Sequence, residues 1–297
     1  MRVGREAIAR LLGGGVRVES FTDLGTSHSW TLHRASLSDG REVFVKAAPD
    51  QPGVFAAEAA GLRWLADGAA SSGSSGSGSP PVPEVLAEDD RMLILPWLPR
   101  GTATASAAER FGRELAIMHS AAPPAAYGAP WEGFIADLPL DNTLTRGDWP
   151  GWYAERRLEP FLRRGAAHLG TGDRRLIERV IEEIDALAGP PEPPSRIHGD
   201  LWSGNVLWTR EGRAVVIDPA AHGGHRETDL AMLALFGAPH LDRVLAAYDE
   251  TSPLADGWRD RMPLHQLHPL LVHVALFGAA YRSQTVDAAR AALAAAR

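Results

Sequence analysis

Residues 198–208, with the sequence His-Gly-Asp-Leu-Trp-Ser-Gly-Asn-Val-Leu-Trp, constrain the fold of this chain more than any other stretch. They place Asp200 on a polar loop and Asn205 five positions later, directly before apolar residues that predict a strand. A turn and a second apolar run over residues 213–217 follow, and that run ends at Asp218. An antiparallel return of the chain would therefore bring Asp218 back beside Asn205.

Two carboxylates and an amide in this pattern suit phosphoryl transfer. In the protein-kinase template, a loop Asp accepts the proton of the substrate hydroxyl, and an Asn after four intervening residues holds a metal ion. A further Asp after the next hairpin holds the metal as well. Asp200, Asn205 and Asp218 fit these three positions, and their oxygen atoms suit a hard cation. A polar loop that only satisfies buried backbone groups is the alternative, and the combined spacing argues against it.

A lysine and a glutamate in the first third of the chain predict a buried ion pair. The alternating strand over residues 42–47 carries Lys46 near its end. The helix that begins near Pro52 carries Glu58 beside the apolar face of Phe55 and Leu62. A carboxylate at the edge of an apolar face needs a partner, and Lys46 is the natural one. Exposure of Glu58 to solvent is the alternative.

The small-residue segment around Gly25, Thr26 and Ser27 predicts a hairpin loop whose backbone N–H groups could bind phosphates. It contains one glycine, not the three of a G-x-G-x-x-G motif, so a plain turn is an equally simple interpretation of this segment alone.

Residues 198–205, the Ile217-Asp218-Pro219 sequence and residues 224–232 together resemble the fructosamine (ketosamine) 3-kinase family. Trp202, between the Asp and the Ser-Gly-Asn, is typical of these kinases. The family belongs to a wider group with the aminoglycoside phosphotransferases and choline kinases. The resemblance implies an α+β, protein-kinase-like bilobal fold. We expect a small antiparallel-sheet N-lobe over residues 1–96 and a mostly helical C-lobe over residues 97–297.

The resemblance also implies cofactors, an acceptor and residue roles. ATP and Mg²⁺ would bind between the lobes, and the acceptor would be the 3-hydroxyl of a ketosamine, free or on a glycated lysine, as a deglycation repair. Asp200 would be the catalytic base. The nucleotide would contact Lys46, Glu58, Gly25, Thr26, Ser27, Pro96, Trp97 and Leu98; the metal would bind Asn205 and Asp218; the substrate would contact Trp202, His222 and His225.

Two other functions stay open at this point. One is a kinase for another small alcohol, such as an aminoglycoside or choline. The other is an inactive nucleotide-binding scaffold. The joint presence of five residues argues against it, namely Lys46, Glu58, Asp200, Asn205 and Asp218. The loop over residues 132–136 departs from the family pattern, which puts substrate contacts from that loop in question.

Composition excludes several classes. The chain has 37 acidic and 30 basic residues, a net charge of −7, and no basic block, so we expect no nucleic-acid partner. It has no cysteine, which excludes disulfides, thiolate nucleophiles and cysteine-based zinc sites. No apolar run approaches the ~18 residues of a membrane span. We expect a cytoplasmic enzyme, with a flexible Ser/Gly-rich surface loop at residues 71–79.

Several polar residues are expected to be structural. Asp229 should brace the catalytic loop through backbone amides, and His119 should cap or pack a helix end. Asp173 should cap a helix that runs to about Leu187. Arg157, beside Arg156, is predicted to be a surface charge.

Overall fold

The computed structural model of the protein describes residues 4–48, 51–70, 78 and 80–295. The predicted Ser/Gly-rich loop lies, apart from Gly78, outside the described residues. Among the residues that the structure does describe, no helix combines the length and the apolar character that crossing a membrane requires.

The N-terminal part of the chain forms one five-stranded antiparallel sheet with a helix against each face. Its elements are α1 (Arg5–Leu11), β1 (Val18–Ser27), β2 (Trp30–Leu37), β3 (Glu42–Ala47), α2 (Val54–Ala70), β4 (Ala87–Asp89) and β5 (Met92–Pro96). The strand order is β1-β2-β3-β5-β4. Val43 and Val45 of β3 pack in the core on the α1 side, whereas Phe44 packs on the α2 side. Because side chains alternate along a strand, Lys46 falls on the same face as Phe44, toward α2.

The remainder is mostly helical, which confirms the predicted fold class. Its helices are α3 (Ala105–Ser120), α4 (Trp149–Tyr153), α5 (Glu159–Gly165), α6 (Thr171–Glu182), α7 (Ile184–Leu187), α8 (Arg226–Phe236), α9 (Leu241–Thr251), α10 (Trp258–Phe277) and α11 (Arg282–Ala295). Three two-stranded antiparallel sheets pair β6 (Gly133–Ile135) with β7 (Leu138–Leu140), β8 (Ser195–Ile197) with β11 (His222–Gly224), and β9 (Val206–Trp208) with β10 (Ala214–Val216). The lobe boundary at residues 96–97 stays a prediction.

Two structural predictions for the C-lobe were wrong. Asp173 does not occupy the N-cap position, which is that of Gly170: it lies in the first turn of α6 and accepts the Gly170 N–H at 2.8 Å. Arg157 is not a surface charge but is 1% exposed. It donates to the Asn142 side chain at 2.9 Å and stacks on Trp152 at 4.3 Å, because a π-helical turn after α4 rotates it inward.

A buried ion pair links the start of α8 to α10. Arg261 donates to both carboxylate oxygens of Glu227, at 3.0 and 2.6 Å, and the Glu227 side chain is 2% exposed. Burial acts to raise the pKa of Glu227, but contacts with His265 and Arg261 outweigh it and lower the pKa from 4.5 to about 2. The carboxylate therefore stays charged when the protein is folded.

We predict that Glu227→Gln destabilises the fold in a pH-dependent way. Because the pKa of Glu227 is lowered on folding, its charge stabilises the protein above about pH 4.5, and this contribution is lost as the pH falls toward about 2. The lowering of the Glu227 pKa from 4.5 to about 2 corresponds to about 3 kcal/mol at pH 7. Denaturant unfolding should show a gap between wild type and variant that narrows between pH 5 and pH 3. A gap of the same size at both pH values would contradict this assignment.

Glu183→Gln is the control. Because Glu183 forms an exposed pair with Arg179, this variant should lower the free energy of unfolding by no more than about 0.5 kcal/mol.

Candidate active site

The loop after β8 carries Asp200 and is held by a buried aspartate. The Asp229 carboxylate accepts the His198 N–H at 2.7 Å and the Gly199 N–H at 2.9 Å, which confirms the predicted brace. His119 supports it from α3, with its ring nitrogens 3.1 Å from Asp229 Oδ2 and 2.8 Å from the Tyr248 hydroxyl. Asp229 is completely buried, so these contacts also stabilise its charge.

Only glycine fits at position 199. Its φ is +80°, and a Cβ there would lie 2.3 Å from the Ala220 carbonyl oxygen. This close approach places the catalytic loop against the chain segment that follows Asp218.

Asn205 and Asp218 meet as the hairpin pattern predicts. β9 pairs with β10 in the register Val206↔Val216, and the Ile217 N–H donates to the Asn205 carbonyl at 3.0 Å. The Asn205 side-chain NH₂ donates to the Asp200 carboxylate at 3.0 Å. Asp218 has a φ of 55°, a strained value for a non-glycine residue and one common at functional sites.

Lys46 lies between two carboxylates. Its ammonium is 2.8 Å from Glu58, as predicted, and 2.6 Å from Asp218, and it lies 4.6 Å from the centre of the Trp30 ring. The lysine is 4% exposed. Burial alone would lower its pKa, but Asp218 and Glu58 outweigh burial and hold the pKa above the ordinary value. Lys46 is therefore a permanent cation.

Asp200 has an unusual electrostatic environment. Desolvation at the bottom of the cleft and then the charge of Asp218 raise its pKa well above the ordinary value, while the hydrogen bond from Asn205 acts in the opposite direction. A carboxylate with a raised pKa is a better proton acceptor than an ordinary aspartate.

A cavity of 580 Å³ lies between the sheet and the helical lobe and is lined by most of the predicted nucleotide- and metal-binding residues. Lys46, Asn205, Asp218, Pro96, Trp97 and Leu98 all line it. The Trp97 N–H already donates to the Glu42 carbonyl at 2.9 Å, and Pro96 has no N–H. Of these three residues, which we predict to form the hinge between the lobes, Leu98 is therefore the one whose N–H could bind a base.

The phosphate-loop prediction needs a correction in its geometry. Gly25, Thr26 and Ser27 are not a loop: β1 continues through all three, which pair with Leu32, Thr31 and Trp30. The turn consists of His28 and Ser29 alone. Of the three predicted residues, Ser27 lines the nucleotide cavity.

A second, largely apolar cavity of 170 Å³ opens on the other side of Asp200. Trp202 is 42% exposed and lines both this cavity and the nucleotide cavity. A third cavity of 120 Å³ joins Lys46, Asp200 and Asp218 beneath the β1–β2 turn. The transferring group and an acceptor would meet at this junction.

His222 and His225, predicted as substrate contacts, line none of these three cavities. Both are buried, because β11 turns back to pair with β8 and carries them into the core. The ring centres of His222 and Trp152 are 5.4 Å apart, and those of His225 and Trp149 are 4.9 Å apart. Both histidines are close to Asp218 in the sequence, but the fold places their side chains away from these cavities.

His225, Glu227 and His265 form a cluster whose ligand atoms lie within 4.8 Å of one another. Spacing along the sequence did not reveal it, because His265 comes from α10. Arg261 occupies both oxygens of Glu227, and its positive charge opposes a cation there. We assign the cluster a structural role.

The residues present fit a magnesium ion beside Asp218. Because the Asn205 NH₂ group is turned toward Asp200, its carbonyl oxygen is the atom left for a cation. The Asp218 side chain is 47% exposed on the side of the cleft. Both offer hard oxygen ligands.

Comparison with known proteins decides the family, because the fructosamine kinase family model matches residues 6–295. The chain belongs to the fructosamine kinase family. The chain is 55% identical to a candidate fructosamine-3-kinase from Thermobifida fusca, whose crystal structure matches with a TM-score of 0.89 and 98% of each chain covered. It is 31% identical to a probable ketoamine kinase of Escherichia coli strain K12, with 92% of this chain and 93% of the relative covered.

One further relative and one protein of the same fold extend the comparison. The chain is 31% identical to the chloroplastic protein-ribulosamine 3-kinase of rice, over 80% of this chain and 68% of the relative. An aminoglycoside phosphotransferase, solved with ADP and hygromycin B, shares the fold at 15% identity, with a TM-score of 0.63 and 97% and 98% of the two chains covered. The predicted family and the kinase-like fold are both confirmed.

We predict that Asp229→Asn lowers kcat about 10- to 100-fold, because each hydrogen bond from the loop to the charged carboxylate contributes about 1.5–3 kcal/mol. Nucleotide affinity should change little, since Asp229 does not line the nucleotide cavity. Steady-state kinetics and equilibrium nucleotide binding would measure both. Asp173→Asn is the matched control: this carboxylate also accepts a backbone N–H, at the start of α6, and should affect stability alone. Equal loss of kcat in both variants would contradict a specific brace.

Proposed function

We propose that this chain is an ATP-dependent ketosamine 3-kinase that transfers a phosphoryl group to a sugar hydroxyl. The observation that carries the proposal is the convergence of Lys46, Asp200, Asn205 and Asp218 where the nucleotide cavity and the apolar cavity meet. We also propose a boundary between the lobes at residues 96 and 97, where β5 ends.

Asp200 is proposed to orient the acceptor hydroxyl and to accept its proton as the new oxygen–phosphorus bond forms. Its raised pKa suits that proton transfer, and the hydrogen bond from Asn205 fixes its orientation. Bound magnesium, held by Asn205 and Asp218, would neutralise charge on the phosphate oxygens. Lys46, positioned by Glu58, would stabilise the α- and β-phosphates.

The hinge is proposed to bind adenine through one N–H group. Since Pro96 has no N–H and the Trp97 N–H is already bonded, the Leu98 N–H is left for an acceptor nitrogen of the base. Leu32, Phe44 and Leu207 line the same cavity and would enclose the apolar faces of the ring.

The apolar cavity supports a ketosamine over a polycationic acceptor. Among the described residues that line it, Asp200 is the one acidic side chain, and most of the others are apolar. An aminoglycoside carries several ammonium groups, and burying them without carboxylate partners is costly. A ketosamine carries one ammonium and a sugar, both of which an exposed Trp202 ring can bind. Free ketosamines and glycated lysines are the proposed acceptors.

We predict that the wild-type protein converts ATP and fructosyl-lysine or ribulosyl-lysine into ADP and a 3-phosphorylated product. An aminoglycoside panel should give at least about 100-fold lower kcat/KM, because its several ammonium groups would lack carboxylate partners in this cavity. Choline should also be a poorer acceptor, because it has no sugar to contact the Trp202 ring. Mass spectrometry of the product and coupled ADP release would measure this. Preferential phosphorylation of an aminoglycoside would contradict the proposed acceptor.

We predict that two isosteric variants separate the roles of the acidic residues. Asp200→Asn should lower kcat by about 10²–10⁴-fold while nucleotide affinity is largely retained, because it removes proton acceptance alone. Asp218→Asn should instead weaken magnesium-dependent nucleotide binding. Isothermal titration with and without Mg²⁺, together with kcat, distinguishes the two. A wild-type kcat for Asp200→Asn would show that the base is wrongly assigned.

A further inference from the structure

The turn between β1 and β2 contacts the turn between β6 and β7 across the cleft. His28 Nε2 lies 2.9 Å from Asp137 Oδ1, and the Ser29 hydroxyl donates to Asp137 Oδ2 at 3.1 Å. Both carboxylate oxygens of Asp137 are therefore engaged by the N-lobe. The two turns lie more than 100 positions apart in the sequence, so the contact joins the lobes.

These two turns lie over the junction of the cavities. His28 lines both the small cavity above Lys46 and Asp218 and the apolar acceptor cavity. Ile135 and Ala136, directly before Asp137, line the same two cavities. The contact therefore closes the cleft at the point where the phosphoryl group and the acceptor would meet.

Both turns have a backbone conformation that non-glycine residues rarely adopt. His28 has a φ of 53° and Ala136 a φ of 52°. Such positions cost free energy of the order of 1 kcal/mol each and persist when surrounding contacts hold them. The bonds to Asp137 are contacts of that kind.

The exposure of this contact argues against a role in stability. The side chains of His28 and Asp137 are 25% and 27% exposed. A partly exposed side-chain contact of this kind contributes about 0–1 kcal/mol to folding. We therefore expect its effect in the chemistry of the cleft.

We propose that His28, Ser29 and Asp137 form a latch that holds the two turns closed over the transferring phosphate and excludes water from it. His28 and Asp137 are then positioning residues. The inference rests on the proposed phosphoryl transfer. In the reaction that the latch suppresses, a water oxygen bonds the γ-phosphorus while the bond to the β–γ bridging oxygen breaks. That reaction gives ADP, inorganic phosphate and a proton, and closing a site against water is a recognised way to prevent it.

The test measures coupling, which is the amount of ADP released for each acceptor molecule that is phosphorylated. The substrates are magnesium-ATP and fructosyl-lysine. His28→Asn keeps a side chain that tolerates the left-handed turn, and Asp137→Ala removes both bonds. Each variant should raise the fraction of ATP hydrolysed without transfer, by about 5-fold or more, with little change in melting temperature. The double variant should match the single variants, because both act through one contact. Glu88→Gln is the control, since Glu88 is 25% exposed and pairs with Arg63 within the N-lobe alone.

Unchanged coupling in both single variants, or additive effects in the double variant, would overturn the latch. If the wild-type protein phosphorylated no ketosamine, the proposed acceptor would fail. The latch would then be judged from ATP hydrolysis without acceptor, which should still rise in His28→Asn and Asp137→Ala and stay at the wild-type rate in Glu88→Gln.

Discussion

The ammonium of Lys46 is the charge around which both lobes are arranged. It comes from β3 and bonds to Glu58 on α2 and to Asp218 after β10, so one buried cation joins three elements. Removing such an ion from water costs several kcal/mol, and good geometry with carboxylate partners is needed to offset that cost. Lys46 therefore positions α2 against the sheet and holds the N-lobe to the segment that would bind the metal.

Nucleotide binding would require an exchange of partners at this cation. Phosphate oxygens would compete with the Asp218 carboxylate for the Lys46 ammonium, which Glu58 binds as well, at 2.8 Å. We infer that the Asp218 pair keeps the cleft ordered before ATP arrives, and that phosphate oxygens then replace Asp218 beside Lys46. The Asp229 brace is separate from this exchange, so the catalytic loop can stay fixed while the partners change.

Local patterns predicted the parts of the site that depend on one strand, one helix or one hairpin. Alternation along β3 and the face of α2 predicted the Lys46–Glu58 pair, and the β9–β10 hairpin predicted that Asn205 and Asp218 meet. Contacts between distant segments were missed: β11 returns to β8 and buries His222 and His225, and the π-helical turn buries Arg157. Gly25 indicated a loop, but β1 pairs with β2 beyond this residue, so the strand continues past it. The contact of His28 with Asp137 joins two turns that carry no common motif.

A crystal structure of the protein with Mg²⁺ and a non-hydrolysable ATP analogue would show whether the partners of Lys46 change in this way. We expect a magnesium ion bound by the Asn205 carbonyl oxygen and the Asp218 carboxylate. We also expect Lys46 Nζ to leave Asp218, to keep Glu58 and to bond a nucleotide phosphate. A metal ion held by other residues, or a nucleotide whose phosphates do not reach Lys46, would show that the site is wrongly assigned.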